Sequence, residues 1–169
     1  RNSLSGTIRL LTEFPDQRQM VIDDPSLIER MSHEALRMVS PVMHMRRTAV
    51  EDTEVAGQRI ARDEKVIMWY GAANRDPTVF PDPDVFDLTR PNVDKHLAFG
   101  HGAHRCLGNR VAQMQLKMAY ERILERFPNI HWTGKQKIEP IILVHAISSL
   151  QVNLYGKDGK RPVQVAVAK

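Results

Sequence analysis

One cysteine occurs in 169 residues, within Phe99-Gly100-His101-Gly102-Ala103-His104-Arg105-Cys106-Leu107-Gly108. Two glycines precede the thiol, a third follows two residues later, and a helical pattern begins at once. A helix start offers unpaired N–H groups and a partial positive charge, and both favour an ionised sulfur. Gly100 and Gly102 lack Cβ, so the backbone there can bulge and approach a flat ligand closely. His104 and Arg105 add cationic or hydrogen-bonding capacity beside the thiol. This set suits a metal-bound sulfur against a planar group. It also leaves open a cysteine nucleophile with a histidine base, as in a hydrolase or transferase. A zinc site would need further cysteines, and the remaining histidines (33, 44, 96, 101, 131 and 145) follow no metal-ligand spacing, reading as packing or surface residues.

The elements that must hold this loop can be read on either side of it. Leu4 to Phe14 continues a helix, and Gln17 to Ile22 suits a short helical piece. Asp24-Pro25 is a helix start signal, and Ile28, Met31, Ala35 and Met38 recur at helical spacing until Ser40-Pro41 stops the run. Glu34 and Arg37 share one face of that helix; on residue types alone they read as an exposed ion pair. Met45 to Val50 and Val66 to Tyr70 read as strands, with a turn at Ala56-Gly57-Gln58 between them. Pro77 to Pro91 is rich in proline and aspartate and reads as an ordered loop. After Cys106 a helix is expected to about Phe127, stopped by Pro128. Its apolar residues fall in two rows, one of Leu107, Val111, Met114 and Met118 and one of Ala112, Leu116, Ala119 and Ile123, which predicts burial on two sides. Further strands are expected at 141–144, 152–155 and 163–167, the last two joined by a turn at 156–159.

Apolar content of 42% and charged content of 26% are ordinary for a soluble globular protein. A single cysteine excludes an internal disulfide. No apolar run approaches the roughly 20 residues that span a bilayer, and no signal peptide or membrane anchor is visible, so a cytoplasmic location is expected. The net charge of +4 is dispersed, with no polybasic tract, so no nucleic-acid partner is expected. A basic face for an acidic protein partner fits the same charge.

The run Phe-Gly-x-Gly-x-His-x-Cys-x-Gly resembles the haem-binding loop of the cytochrome P450 superfamily, with every fixed position filled. Three further signals follow that family's order. Glu34-Ala-Leu-Arg37 matches its Glu-x-x-Arg motif, Arg47 ahead of Thr48-Ala49 matches its propionate arginine, and Asn74 to Pro91 matches the turn and irregular meander that supply Arg90. The resemblance implies a mainly α fold with small β-sheets (α+β). Residues 1–169 would form a single partial domain, the C-terminal portion of that fold with its Glu-x-x-Arg helix, meander, cysteine loop and following long helix. Arg1 onward reads as mid-helix, so the soluble bacterial type lacking its N-terminal part is expected.

By the same resemblance Cys106 is the axial ligand and catalytic centre of a haem b (iron protoporphyrin IX) group. Arg47 and His104 meet its propionates, and Leu97, Ala98, Phe99, Gly100, Gly102, Leu107, Gly108 and Ala112 complete the cofactor site. Glu34, Arg37 and Arg90 form a buried bracing network. Val42, Met43 and Ile147 face substrate, although plain core packing explains Val42 and Met43 as well. Arg105, Arg110, Lys117 and Arg122 are candidates for a redox-partner face. The implied activity is a haem-thiolate monooxygenase: one atom of dioxygen enters an apolar substrate of the alkane, fatty-acid, terpenoid or sterol class, with electrons from a ferredoxin-type donor. A non-catalytic haem-binding fragment is the alternative, because the family's oxygen-activating segment lies upstream of Arg1.

Overall fold

The computed structural model describes residues 1–156, so the expected strand at 163–167 and most of the turn before it lie outside the described residues. Three helices come first: α1 (Asn2–Glu13), α2 (Pro15–Asp23) and α3 (Ile28–Val39). Pro15 occupies the first turn of α2, where its missing N–H costs nothing. Asp24 Oδ1 accepts from Ser26 N–H at 3.0 Å and caps a single 3₁₀ turn, Pro25–Leu27, that leads into α3. Ser40 ends α3 in the left-handed region at φ 40°, one residue before Pro41.

Four short strands follow. β1 (His44–Thr48) pairs antiparallel with β4 (Lys65–Trp69), which places Arg47 opposite Val66. β2 (Thr53–Val55) and β3 (Gln58–Ile60) close a separate hairpin around Ala56-Gly57, the expected turn. These two strands were hidden because Thr-Glu-Val and Gln-Arg-Ile are too short to show alternation. A single helical turn, α4 (Tyr70–Ala73), carries the chain into the proline-rich loop. After the cysteine loop, α5 (Asn109–Arg126) is the longest element, with 18 residues.

The tail departs from expectation. Residues 141–144 are not a strand: apart from one bridge between Val144 and Val42 they form bends, and Ile141, Ile142 and Leu143 are exposed. The final sheet instead pairs β5 (His131–Glu139) with β6 (Ala146–Asn153), with register shifts along the ladder. β5 has polar or charged residues on both faces (Gln136, Lys135, Lys137), so it lacks the apolar alternation that marks a strand.

The core lies where α1, α3 and α5 meet. Leu10 and Leu11 of α1, Met31, Ala35 and Leu36 of α3, and Leu116, Tyr120 and Leu124 of α5 are buried there, closed by Phe86 and Leu88 from the proline-rich loop. The Tyr120 hydroxyl donates to the Leu4 carbonyl and ties α5 to α1; its burial raises the phenol pKa well above the ordinary tyrosine value. Only one row of α5 is covered. Leu107, Val111, Met114 and Met118 are exposed, contrary to the expected two-sided burial, because within the described residues this helix packs on one side only.

Candidate functional site

The cysteine loop closes on itself through its own backbone. Cys106 N–H donates to the Phe99 carbonyl (2.9 Å), Gly100 N–H to the Leu97 carbonyl (2.8 Å) and Arg105 N–H to the Gly102 carbonyl (3.0 Å). Gly100 and Gly102 hold φ of 70° and 73°, a region that penalises any side chain with a Cβ. Gly100 is constrained twice, since a Cβ there would stand 3.3 Å from the Tyr70 hydroxyl. The helix α5 begins three residues past Cys106, and its first N–H, that of Asn109, donates to the Cys106 carbonyl at 3.3 Å. Cys106 is exposed, and no hydrogen bond joins its Sγ to a histidine among the described residues.

The thiol opens into a cavity of about 690 Å³. Ala98, Phe99 and Gly100 of the loop line it together with His104 and Cys106; Ala112 and Leu116 of α5 form another wall. Leu4 of α1, Leu36 of α3, and Pro41 and Val42 beyond α3 add apolar surface, and Tyr70 closes one side. Arg47 reaches the cavity while Arg46 does not. Successive residues of a strand point to opposite faces, so Met45 and Arg47 share the cavity face. Leu97, Gly102, Leu107 and Gly108 belong to the loop without lining the cavity, and Met43 and Ile147 also lie off its wall. Ile147 is buried under Asn2, whose Oδ1 accepts its N–H at 3.2 Å. Sequence reasoning missed Leu4, Leu36, Tyr70 and Leu116 as lining residues. Leu4, Leu36 and Tyr70 come from elements distant in the chain, so only the fold brings them to the thiol, whereas Leu116 lies one turn past Ala112 on the helix that follows Cys106.

A thiol, an arginine, a histidine and apolar walls suit a ligand with a planar apolar body, a soft metal and a carboxylate edge. Haem has that set of features, and at Gly102 of the loop a Cβ would meet nothing within 4 Å. Among the described residues no cluster of three or more His, Cys, Asp or Glu could hold a bare metal ion.

Behind the loop lies a dense buried network. Arg37 grips Glu34 with two bonds of 2.8 Å, and Arg90 Nε reaches the same carboxylate at 3.2 Å. One carboxylate faces two guanidiniums. The surplus charge meets carbonyl dipoles: those of Asn74 (2.8 Å) and Pro83 (2.7 Å) accept from Arg37, and those of Pro81 and Asp82 accept from Arg90. Glu34 and Arg37 are fully buried, so the reading as an exposed ion pair fails. Asn74 links this network to the loop, since its Oδ1 accepts from Leu97 N–H at 2.6 Å while its Nδ2 donates to Ser40 Oγ at 2.9 Å.

A second link was invisible in the sequence. His96 and His33, read there as packing or surface residues, lie with Nε2 and Nδ1 at 3.2 Å. Burial, reinforced by His33, Arg105 and Arg37, pushes the His96 pKa down to about 4, against the pull of Asp94. Burial also lowers that of His33, opposed mainly by Glu29 and Asp94.

Comparison with known proteins bears on this geometry. The family model described as Cytochrome P450 matches residues 17–152. Linalool 8-monooxygenase of Pseudomonas putida is 42% identical over 93% of this chain, and cytochrome P450-terp of a Pseudomonas species is 41% identical over 81%. The chain spans 38% of the length of the former and 32% of the latter. The solved structure of cytochrome P450-153 from Novosphingobium aromaticivorans superposes with a TM-score of 0.86 at 45% identity, over 90% of this chain and 38% of that one. Among the described residues no helix is long and apolar enough to cross a membrane. The thiol loop, the Glu34–Arg37–Arg90 network and these likenesses lead to one conclusion: the chain belongs to the cytochrome P450 family.

Proposed function

We propose that this chain supplies the thiolate side of the haem b site of a monooxygenase acting on an apolar organic substrate of the alkane, fatty-acid, terpenoid or sterol class. The observation that carries the reading is the shared cavity: Cys106 opens into the same apolar-walled space as Arg47 and His104. Thiolate-ligated haem supplies electron density that favours O–O cleavage, so one oxygen atom enters the substrate and the other leaves as water. Cys106 would hold the iron. The Arg47 guanidinium and His104 would pair with the two propionates, the arginine in the planar geometry that suits a carboxylate. Ala98, Phe99 and Ala112 would pack against the macrocycle and keep water from the sulfur, which tunes its potential. Val42 would face substrate, with Met43 and Ile147 supporting that wall.

Arg105, Arg110, Lys117 and Arg122 are all exposed, which supports an acidic, ferredoxin-type electron donor docking beside the thiolate. The names of the Pseudomonas relatives support the terpenoid class among the candidates, and the absence of a candidate membrane span among the described residues is compatible with a cytoplasmic enzyme. The test is haem titration of the full-length protein, followed by turnover of a terpene alcohol and a linear alkane with ferredoxin and its reductase. One haem per chain and hydroxylated product are expected, and the isolated 1–169 segment should yield no product. Rapid alkylation of Cys106 with no visible absorption would favour a cysteine enzyme instead.

A further inference from the structure

The histidine pair makes a hydrogen-bond chain with one direction. Ala98 N–H points at His96 Nδ1 (3.3 Å), which fixes the lone pair of a neutral ring on Nδ1 and its proton on Nε2. That proton faces His33 Nδ1 at 3.2 Å, which leaves the second His33 proton on Nε2, 3.4 Å from the side-chain amide of Gln113 on α5. With the amide oxygen turned toward His33, the His33 Nε2–H also meets an acceptor. The chain therefore runs from the root of the cysteine loop, through α3, to the helix that follows the cysteine. The His96 ring also lies 5.8 Å from the Phe99 ring, and Phe99 is the residue whose carbonyl accepts the Cys106 N–H.

The charges around the pair oppose protonation of His96. His33 and Arg37 act on it from α3 and Arg105 from the loop itself, with Asp94 the opposing acid; at His33, Arg105 and Arg30 are opposed by Glu29 and Asp94. Lys117 of α5 and Glu29 share a small cavity with His33 and Gln113. A proton on His96 Nδ1 would turn an acceptor into a donor facing the Ala98 N–H, and it would set a cation against Arg105.

We propose that His96 is a positioning residue for Cys106, holding the cysteine loop against α3 and α5 through His33 only while its ring is neutral. The inference rests on the haem reading of the site, and it adds an acid sensitivity located away from the sulfur. The sign follows from the direction of the shift. A histidine whose folded pKa lies below its unfolded value stabilises the fold above about 6.5, and that stabilisation is lost as pH falls toward about 4.

The experiment uses the haem-loaded full chain, titrated with acid under carbon monoxide after reduction, alongside His ring C–H resonances by NMR. Thiolate ligation is expected to decay across that window in the wild type. His96→Asn, whose amide oxygen can accept from Ala98 N–H without binding a proton, should move the midpoint of the decay down by about a unit or more. His96→Phe, which offers no acceptor, should weaken ligation at neutral pH. A decay with the same midpoint in folded His96→Asn would overturn the proposal, as would a His96 resonance titrating near the ordinary histidine value. If the full chain shows no thiolate signature even at neutral pH, the haem reading fails. The NMR titration of the folded chain then decides the histidine brace separately, a depressed His96 value supporting it and an ordinary one refuting it.

Discussion

Two regions sit on opposite sides of the cysteine loop and are built by opposite rules. Around Glu34 the side-chain polar atoms are spoken for: two guanidiniums, the Asp87 N–H at 3.1 Å and a ring of carbonyls satisfy one another. Arg30 extends the same pattern by donating to the Leu88 (2.9 Å) and Arg90 (2.7 Å) carbonyls. Around Cys106 the reverse holds, with an exposed thiol, backbone bonds within the loop, and Arg47 and His104 lining a cavity. The contrast teaches where rigidity is supplied. An irregular loop with little regular hydrogen bonding is fixed from one side by a buried ionic cluster, and its other side is left open to receive a ligand.

Removing a member of the closed side should have the largest effect. Arg37→Ala leaves Glu34 with Arg90 as its one cationic partner and frees the Asn74 and Pro83 carbonyls, at a cost of about 3–5 kcal/mol. A typical domain has about 5–15 kcal/mol in all, so little folded protein should survive; soluble yield and denaturant midpoint check this. Normal yield would erase the contrast between the two regions.

The open side should respond by smaller steps. Gly100→Ala must hold φ at 70° and crowd Tyr70, whereas Gly102→Ala holds φ at 73° with nothing nearby. Each pays about 1–2 kcal/mol for the left-handed backbone, and the Gly100 variant should lose more by thermal denaturation. Placing both in a Tyr70→Phe background should narrow the gap, because the atom at 3.3 Å is the hydroxyl. Equal losses in the native background would show that Tyr70 does not press on the loop.

Much of this architecture was legible in the residues, and the parts that were not share a cause. The helix α3, the turn at Ala56-Gly57 and the loop at Cys106 announce themselves through local chemistry: apolar spacing, a residue tolerant of positive φ, and glycines beside a thiol. The strand at 141–144 was an error of the same kind, since Ile141, Ile142, Leu143 and Val144 have strand-like side chains but no partner beyond one bridge. β5 was missed because its pairing with β6 decides its conformation, not its own apolar pattern. The burial of Glu34 and Arg37 was legible only through family resemblance, since i,i+3 charges look alike on a surface and in a core. The pairing of His96 with His33 joins residues 63 apart and has no local signature.

The smallest stability effect belongs to the residue at the centre of the account. Cys106 is exposed and makes no packing contribution to the core, so Cys106→Ser should change the stability of the cofactor-free chain by no more than about 0.5 kcal/mol. The decisive measurement is the absorption spectrum of the reduced, carbon-monoxide-treated full-length protein, wild type beside Cys106→Ser. The account predicts the red-shifted band of thiolate ligation in the wild type and its loss in the variant. The same band in both proteins, or in neither, would contradict it.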